Sequence, residues 1–315
     1  GTLGVVTSVT LDVLPRRPEV CLVQIALDDE PRAVAFASRL RDVSVETRRA
    51  GDRHGLDVVA IEHMDRRCLE VLREEGADRR SRVTIPQTAA VVLLAQVELP
   101  HETTAAQVYE EVGLAASPQA PDTPIVRLCR LLEADGLLGA TELAAPGDRT
   151  RGAELLALRE AVPEAVNRRI GIAKREVDDT IEKTAADMIV PYPRFADSLR
   201  LFRDAFESRG LDYAIWGHIS DGNLHPNVIP RSAADVRLGK DAILACGHEV
   251  IQWGGCPLAE HGVGRNPVKQ ALLCRLYGEQ GIEQMRTVKR VLDPAGKLAP
   301  GVLFPATPGT GREAP

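Results

Sequence analysis

Near its start the chain alternates with period two: Val5, Thr7, Val9, Leu11 and Val13 fall on one side, and Val6, Ser8, Thr10 and Asp12 on the other. This alternation, rich in β-branched side chains, predicts a strand. Pro15, Arg16, Arg17 and Pro18 separate it from the rest of the chain, so it reads as the end of another domain. Beyond Pro18, apolar runs at 20–27, 58–62 and 91–99 predict strands, with a shorter candidate at 137–143. Helical spacing marks 31–41, 66–75 and 101–112, while 78–82 and 115–124 read as loops from their charge and their Pro, Ser and Asp content. The alternation suits an α+β fold with helices on one face of a sheet, and a ferredoxin-like antiparallel sheet with flanking helices is the expected architecture.

Further helices are predicted at 152–169, 194–209 and 241–253. In the second, Phe195, Leu199, Phe202 and Phe206 form one stripe, which reads as a core face, and Gly210 ends the helix. Leu211, Tyr213 and Ile215 then alternate as a strand leading into Gly217.

Composition narrows the function. The 315 residues suggest two domains, or one with an added lobe. A net charge of -6 without a long basic run argues against nucleic acid, and 3% aromatics argue against base stacking. The longest apolar stretches, such as 89–97 with Gln96 inside it, are far shorter than the ~20 residues of a membrane helix. Six cysteines without a CxxC pair suit a reducing compartment. A cytoplasmic protein is expected, with peripheral membrane contact and a homodimer left open.

Two segments carry candidate chemistry. Trp216-Gly217-His218-Ile219-Ser220-Asp221-Gly222-Asn223-Leu224-His225-Pro226 places two histidines seven apart around a polar, glycine-containing turn. They are either hydrogen-bonded residues at a strand end or ligands of one metal. Gly254-Gly255-Cys256-Pro257-Leu258-Ala259-Glu260-His261-Gly262-Val263-Gly264-Arg265 sets a carboxylate beside an imidazole in a glycine-rich loop. Glu260 with His218 and His225 would make a two-histidine, one-carboxylate site for a divalent ion, Zn²⁺ being the first choice. His261 would then be free to act as a base. His54, His63, His101 and His248 lack ligand spacing and read as surface or hydrogen-bonded residues. No strand, glycine loop and helix unit surrounds Gly262 and Gly264, so a nicotinamide cofactor is not implied.

The strings GTLGVVT, GHISDGNLHPN, EHGVGR and LDPAGKLAPGVLF, in that order, resemble the FAD-linked oxidase family of the vanillyl-alcohol oxidase superfamily. Its members include D-lactate dehydrogenases, the flavin subunit of glycolate oxidase and D-2-hydroxyglutarate dehydrogenase. Ala60-Ile61-Glu62-His63-Met64-Asp65 is similar to a segment of the family's substrate domain. The resemblance implies that His218, His225 and Glu260 hold the metal and that His261 takes the proton of a substrate hydroxyl. It places Asn223 near substrate and flavin, and Gly1, Thr2, Gly4, Val5 and Val6 in the last FAD-contacting stretch of the flavin domain. Arg159 matches the arginine that pairs with the substrate carboxylate. Lys183 is assigned as the substrate lysine, with a spacing to Pro191 two residues longer than usual. Ser220 stands where the family has glycine, and Pro163 where some members carry a substrate-binding threonine.

These assignments divide the chain into residues 1–17, the end of an FAD-binding domain, and 18–265, a substrate domain. Residues 266–307 are a helix and segment returning to the flavin domain, and 308–315 a disordered tail. The implied enzyme oxidises a D-2-hydroxy acid of the lactate kind to the 2-oxo acid. It uses FAD held by an upstream domain in the same chain or on a partner. The alternative is a non-catalytic substrate- or metal-binding subunit, or a truncated remnant, whose opening strand edge seeks a partner.

Overall fold

The computed structural model describes residues 1–12 and 19–305. Strand β1 (Glu19–Leu27) leads into α1 (Glu30–Ala50), whose N-terminus is capped by the Asp29 side chain accepting from the Arg32 amide. The path continues through β2 (Asp57–Met64), α2 (Arg66–Glu74), α3 (Ala77–Arg80), β3 (Val91–Leu99), α4 (Ala105–Leu114), α5 (Pro124–Ala134) and β4 (Thr141–Ala144). Helix α6 (Arg149–Glu176), the two-residue strands β5 (Thr184–Ala185) and β6 (Met188–Ile189), and α7 (Phe195–Glu207) come next. The hairpin β7 (Tyr213–His218) and β8 (Asn223–Val228) and the helices α8 (Ala233–Gln252) and α9 (Pro267–Leu292) complete the described path.

One antiparallel sheet runs in the order β4-β1-β3-β2-β7-β8-β5, with β6 also pairing with β8. Successive side chains of a strand face opposite ways, and β3 is buried on both sides. Leu93, Ala95 and Val97 belong to one core cluster with residues of α1, α5, α7 and α8, while Val92 and Leu94 belong to a second with residues of α2 and α6. The helices therefore cover both faces of the sheet rather than the one face expected. Two-sided burial explains why β3 reads as a continuous apolar run without alternation.

Several expectations change in the folded chain. Residues 1–12 form no strand, and Val5, Val6, Val9 and Leu11 are exposed. A strand exists only through its neighbours, and residues 1–12 pair with none of the described ones; Val13 and the expected tail at 308–315 lie outside the described residues. The segment 78–82, expected as a loop, opens inside the short helix α3. The 101–112 helix begins only at Ala105, because Thr104 and Gln107 form a capping box. Helix α5 follows directly on the 115–124 loop, started by Thr123 and Pro124, an N-cap followed by a proline at the first helical position. No helix among the described residues is long and apolar enough to cross a membrane.

His63 also departs from its expected place. It is fully buried on β2 with both ring nitrogens lacking a hydrogen bond, its edge against Phe195 and Nε2 3.8 Å from Glu30. Burial pushes its pKa down to about 4, opposed by Glu30 and reinforced by Arg203. The folded protein keeps this imidazole neutral, whereas the unfolded chain takes up a proton below about pH 6.5. Stability is thus untouched above that pH and drains away as pH falls from 6.5 through 4, by roughly 3 kcal/mol in all. In urea unfolding between about pH 7.5 and 4.5, the wild type should lose more stability than His63→Leu; parallel losses would refute this assignment.

Candidate metal and substrate cleft

The β7–β8 hairpin carries the two motif histidines, and its register decides how they meet. His218 ends β7 opposite Asn223, and Trp216 lies opposite His225, so all four share the sheet face covered by α6. The close turn depends on glycine. Gly222 adopts a left-handed φ of 82°, and a Cβ there would stand 2.6 Å from the Val190 carbonyl oxygen. The segment read as a turn around both histidines is thus a hairpin, with His225 inside the second strand.

The second motif reaches the same place by being stitched to the sheet edge. Cys256 and Ile189 exchange backbone hydrogen bonds at 2.9 Å, and the Ala259 amide donates to the Asp187 carbonyl. The buried Asp187 carboxylate then accepts from the Glu260 and His261 amides at 2.8 and 2.7 Å through one oxygen, Oδ2. Gly262 and Gly264 come next, with left-handed φ of 66° and 59°. Although neighbours in sequence, Glu260 and His261 both face one cleft, with His261 Nε2 3.7 Å from Glu260 Oε1.

Glu260 Oε1 is the focus. His225 Nε2 lies 2.9 Å from it, His218 Nε2 3.6 Å, and Asn223 Nδ2 donates to it at 3.0 Å. The His218 and His225 rings stand perpendicular at 5.5 Å, and the His225 and His261 rings are 5.4 Å apart. The ligand atoms of His218, His225 and Glu260 all lie within 4.8 Å of one another. Two imidazoles and a carboxylate gathered this closely fit a divalent cation. So do the far sides of the rings: Glu62 Oε1 sits 2.9 Å from His218 Nδ1, and Asp187 Oδ1, buried and without a hydrogen bond, 3.8 Å from His225 Nδ1. Carboxylates behind ligand histidines are the usual outer support of such sites.

Electrostatics separate the two rings. The Glu62 hydrogen bond raises the His218 pKa despite partial burial, whereas burial lowers that of His225 against the pull of Glu260 and Asp187. Burial would raise the Glu62 pKa, yet the His218 hydrogen bond and the Arg159 charge bring it below its ordinary value. The lowered pKa of His225 favours its neutral form, the form in which imidazole binds a metal.

The cleft has a volume of about 620 Å³, and Arg159, Lys183 and Lys269 line it together with His218, His225, Glu260 and His261. Arg159 does not stand free there, since its Nε and Nη2 donate to Glu62 Oε2 at 3.1 and 3.0 Å. Lys183 has its pKa lowered by burial and by Lys269. Pro163, inside α6, shows the cleft no hydroxyl and no N–H, so the Arg159 carbonyl loses its helical donor. Asn223 is buried and bound to Glu260 rather than lining the cleft. Of the residues matched to a flavin contact, Thr2 is buried while Gly1, Gly4, Val5 and Val6 are exposed. Sequence reasoning missed Glu62 and Asp187 as site residues, because their partners are distant in the chain and no local spacing marks them. It also missed Lys269.

The chain is similar to known proteins. A profile described as FAD linked oxidases, C-terminal domain, matches residues 29–303. The glycolate oxidase subunit GlcD of Bacillus subtilis is 24% identical over 307 residues, covering 96% of this chain and 55% of that protein. A D-2-hydroxyglutarate dehydrogenase of Xanthomonas citri pv. viticola is 34% identical over 158 residues, 49% of this chain and 31% of the relative. The mitochondrial D-2-hydroxyglutarate dehydrogenase of Rattus norvegicus is 26% identical, covering 97% of this chain and 49% of its own length. The chain thus spans about half, or less, of the curated relatives it matches. Among solved structures, the 4-ethylphenol oxidase of Gulosibacter chungangensis in its isoeugenol complex aligns over 94% of this chain and 55% of its own, at 14% identity and a TM-score of 0.47.

The Asp187 clasp yields a prediction. Asp187→Ala leaves two backbone N–H groups without their acceptor, which should cost about 2–4 kcal/mol in urea unfolding. Hydrogen exchange at the Glu260 and His261 amides should accelerate more than at the β3 amides, and equal protection in both proteins would show that the clasp does not hold the loop.

Proposed function

The chain belongs to the family of FAD linked oxidases, C-terminal domain, and from that premise we propose that it forms the substrate side of an FAD-dependent oxidoreductase converting a D-2-hydroxy acid of the lactate kind into the 2-oxo acid. The observation that carries this reading is the convergence of His218, His225, Glu260 and His261 on one cleft that Arg159 also lines. In this reading residues 18–265 form the substrate domain, and residues 1–17 end an FAD-binding domain in the same polypeptide or on a partner. The exposed Val5, Val6, Val9 and Leu11 support a covering surface there. The order β4-β1-β3-β2 supports a ferredoxin-like half of the sheet.

His218, His225 and Glu260 would hold a divalent ion, Zn²⁺ first, which when bound supplies Lewis-acid polarisation of the hydroxyl and carboxylate. FAD supplies the acceptor for the hydride at C2. This chain's residues do the rest. Arg159 spends Nε and Nη2 on Glu62, so the substrate carboxylate would take its Nη1. Lys183, which lines the same cleft, adds positive charge for an acid substrate. Asn223 keeps Glu260 turned toward the histidines. His261 is largely exposed at the cleft, where Nε2 would receive the hydroxyl proton as C2 is oxidised.

In the flavin-loaded enzyme under anaerobic conditions, D-lactate should bleach the flavin absorption. His261→Ala should slow that bleaching by roughly 10²–10⁴-fold without changing metal content, whereas His225→Ala should release metal. An unchanged rate in His261→Ala would remove it as the base, and no bleaching by any of several D-2-hydroxy acids would remove the substrate class.

A further inference from the structure

We propose that Glu62 is the positioning residue that orients His218 and Arg159 at once, one carboxylate oxygen for each, so that a single side chain ties the metal side of the cleft to its substrate side. The inference rests on the metal and substrate reading above and deepens it through a residue that in that reading touches neither metal nor substrate. Glu62 on β2 lies directly opposite His218 on β7 in the antiparallel register, so the two side chains rise from the same sheet face as nearest neighbours. From the other side α6 brings in Arg159. Oε1 meets His218 Nδ1 at 2.9 Å, and Oε2 takes Arg159 Nε and Nη2 at 3.1 and 3.0 Å. With its side chain only 17% exposed, the carboxylate has both oxygens committed.

The chemical consequence lies in what each group can do. An ionised carboxylate only accepts, so the His218 nitrogen facing it carries the hydrogen. In the neutral ring that binds a metal, the lone pair then belongs to Nε2, the nitrogen turned toward Glu260 and the metal ligand set. Arg159 is oriented by the same anion, its Nε and Nη2 held by Glu62 Oε2 and its Nη1 outside that pairing. A glutamine here cannot serve both partners. Its oxygen can accept from one, and its NH₂ group then opposes the N–H of the other.

The test uses the purified protein and Zn²⁺ alone as the metal probe. Calorimetric titration and ¹⁵N-histidine spectra compare wild type, Glu62→Gln, Glu62→Asp and Arg159→Met, with thermal unfolding confirming that each variant folds. Glu62→Gln should lose roughly 10–100-fold in Zn²⁺ affinity. It should also lose the Nδ1–H signature of His218, while the slow exchange of the Arg159 Nε–H, the second signature, persists because the one remaining acceptor oxygen stays with the two Arg159 donors. Arg159→Met should keep the His218 tautomer and lose less Zn²⁺ affinity than Glu62→Gln, which separates positioning from general loosening of the cleft. Glu62→Asp, one methylene shorter, should reach one partner only and lose at least one of the two signatures; it stands in if Glu62→Gln does not fold. Wild-type Zn²⁺ affinity and tautomer in Glu62→Gln, or both signatures intact in Glu62→Asp, would overturn the proposal while leaving the metal reading standing. An Arg159→Met protein that loses Zn²⁺ equally would also overturn it. A wild-type protein that binds no Zn²⁺ would overturn the metal reading and the proposal together.

Discussion

Three residue pairs join the two halves of the sheet: Glu62 with His218, His63 with Gly217, and Met64 with Trp216. Everything at the cleft depends on that short seam between β2 and β7. Because side chains alternate, a slip of one residue would send Glu62 to the opposite face and leave His218 without its carboxylate. At the middle pair β7 is also drawn closely against β8. Gly217 carries no side chain, and the backbone of Asn223 occupies the space where a Cβ would project. Its partner His63 lies on the other face, sealed in the core with both nitrogens unpaired. That costly burial comes with the register that places Glu62 correctly.

The carboxylates of the cleft illustrate how charge is kept in a partly buried site. An ionised carboxylate without partners would be strongly disfavoured there. Glu62 is compensated by a guanidinium and an imidazole, and Asp187 by two backbone amides. Glu260, the most exposed of the three, gathers the ring nitrogens and the Asn223 amide around one oxygen. The three therefore differ in task although they are alike in chemistry. One orients side chains, one holds a loop, and one presents an oxygen to the cleft.

Much of the fold was readable wherever a local pattern and its burial agree. The apolar run 91–99 is β3 to the residue, because it is central and covered on both faces. The phenylalanine stripe of α7 is core, with Phe195, Phe202 and Phe206 fully buried. The pattern misled where pairing was required and absent. Residues 5–12 alternate as cleanly as any strand, yet alternation states only which sides would differ, and a strand also needs a neighbour to bond. Helix boundaries moved by several residues for a related reason, since caps such as Thr104 and Ser232, rather than apolar spacing, set where a helix begins.

By itself the sequence determined the cast and its order: His218 and His225 flanking a glycine turn, Glu260 beside His261, and the family to which these motifs belong. It also determined the period-two and helical segments from which the layers are built. Only the tertiary structure decided which side chains support them. Glu62 reaches Arg159 across 97 residues and His218 across 156, and Asp187 holds a loop 73 residues away. A hydrogen bond forms through space and requires only a few ångströms between its atoms, so no spacing along the chain records it. What brings those atoms together is the register of paired strands, a property of the whole sheet rather than of any one segment.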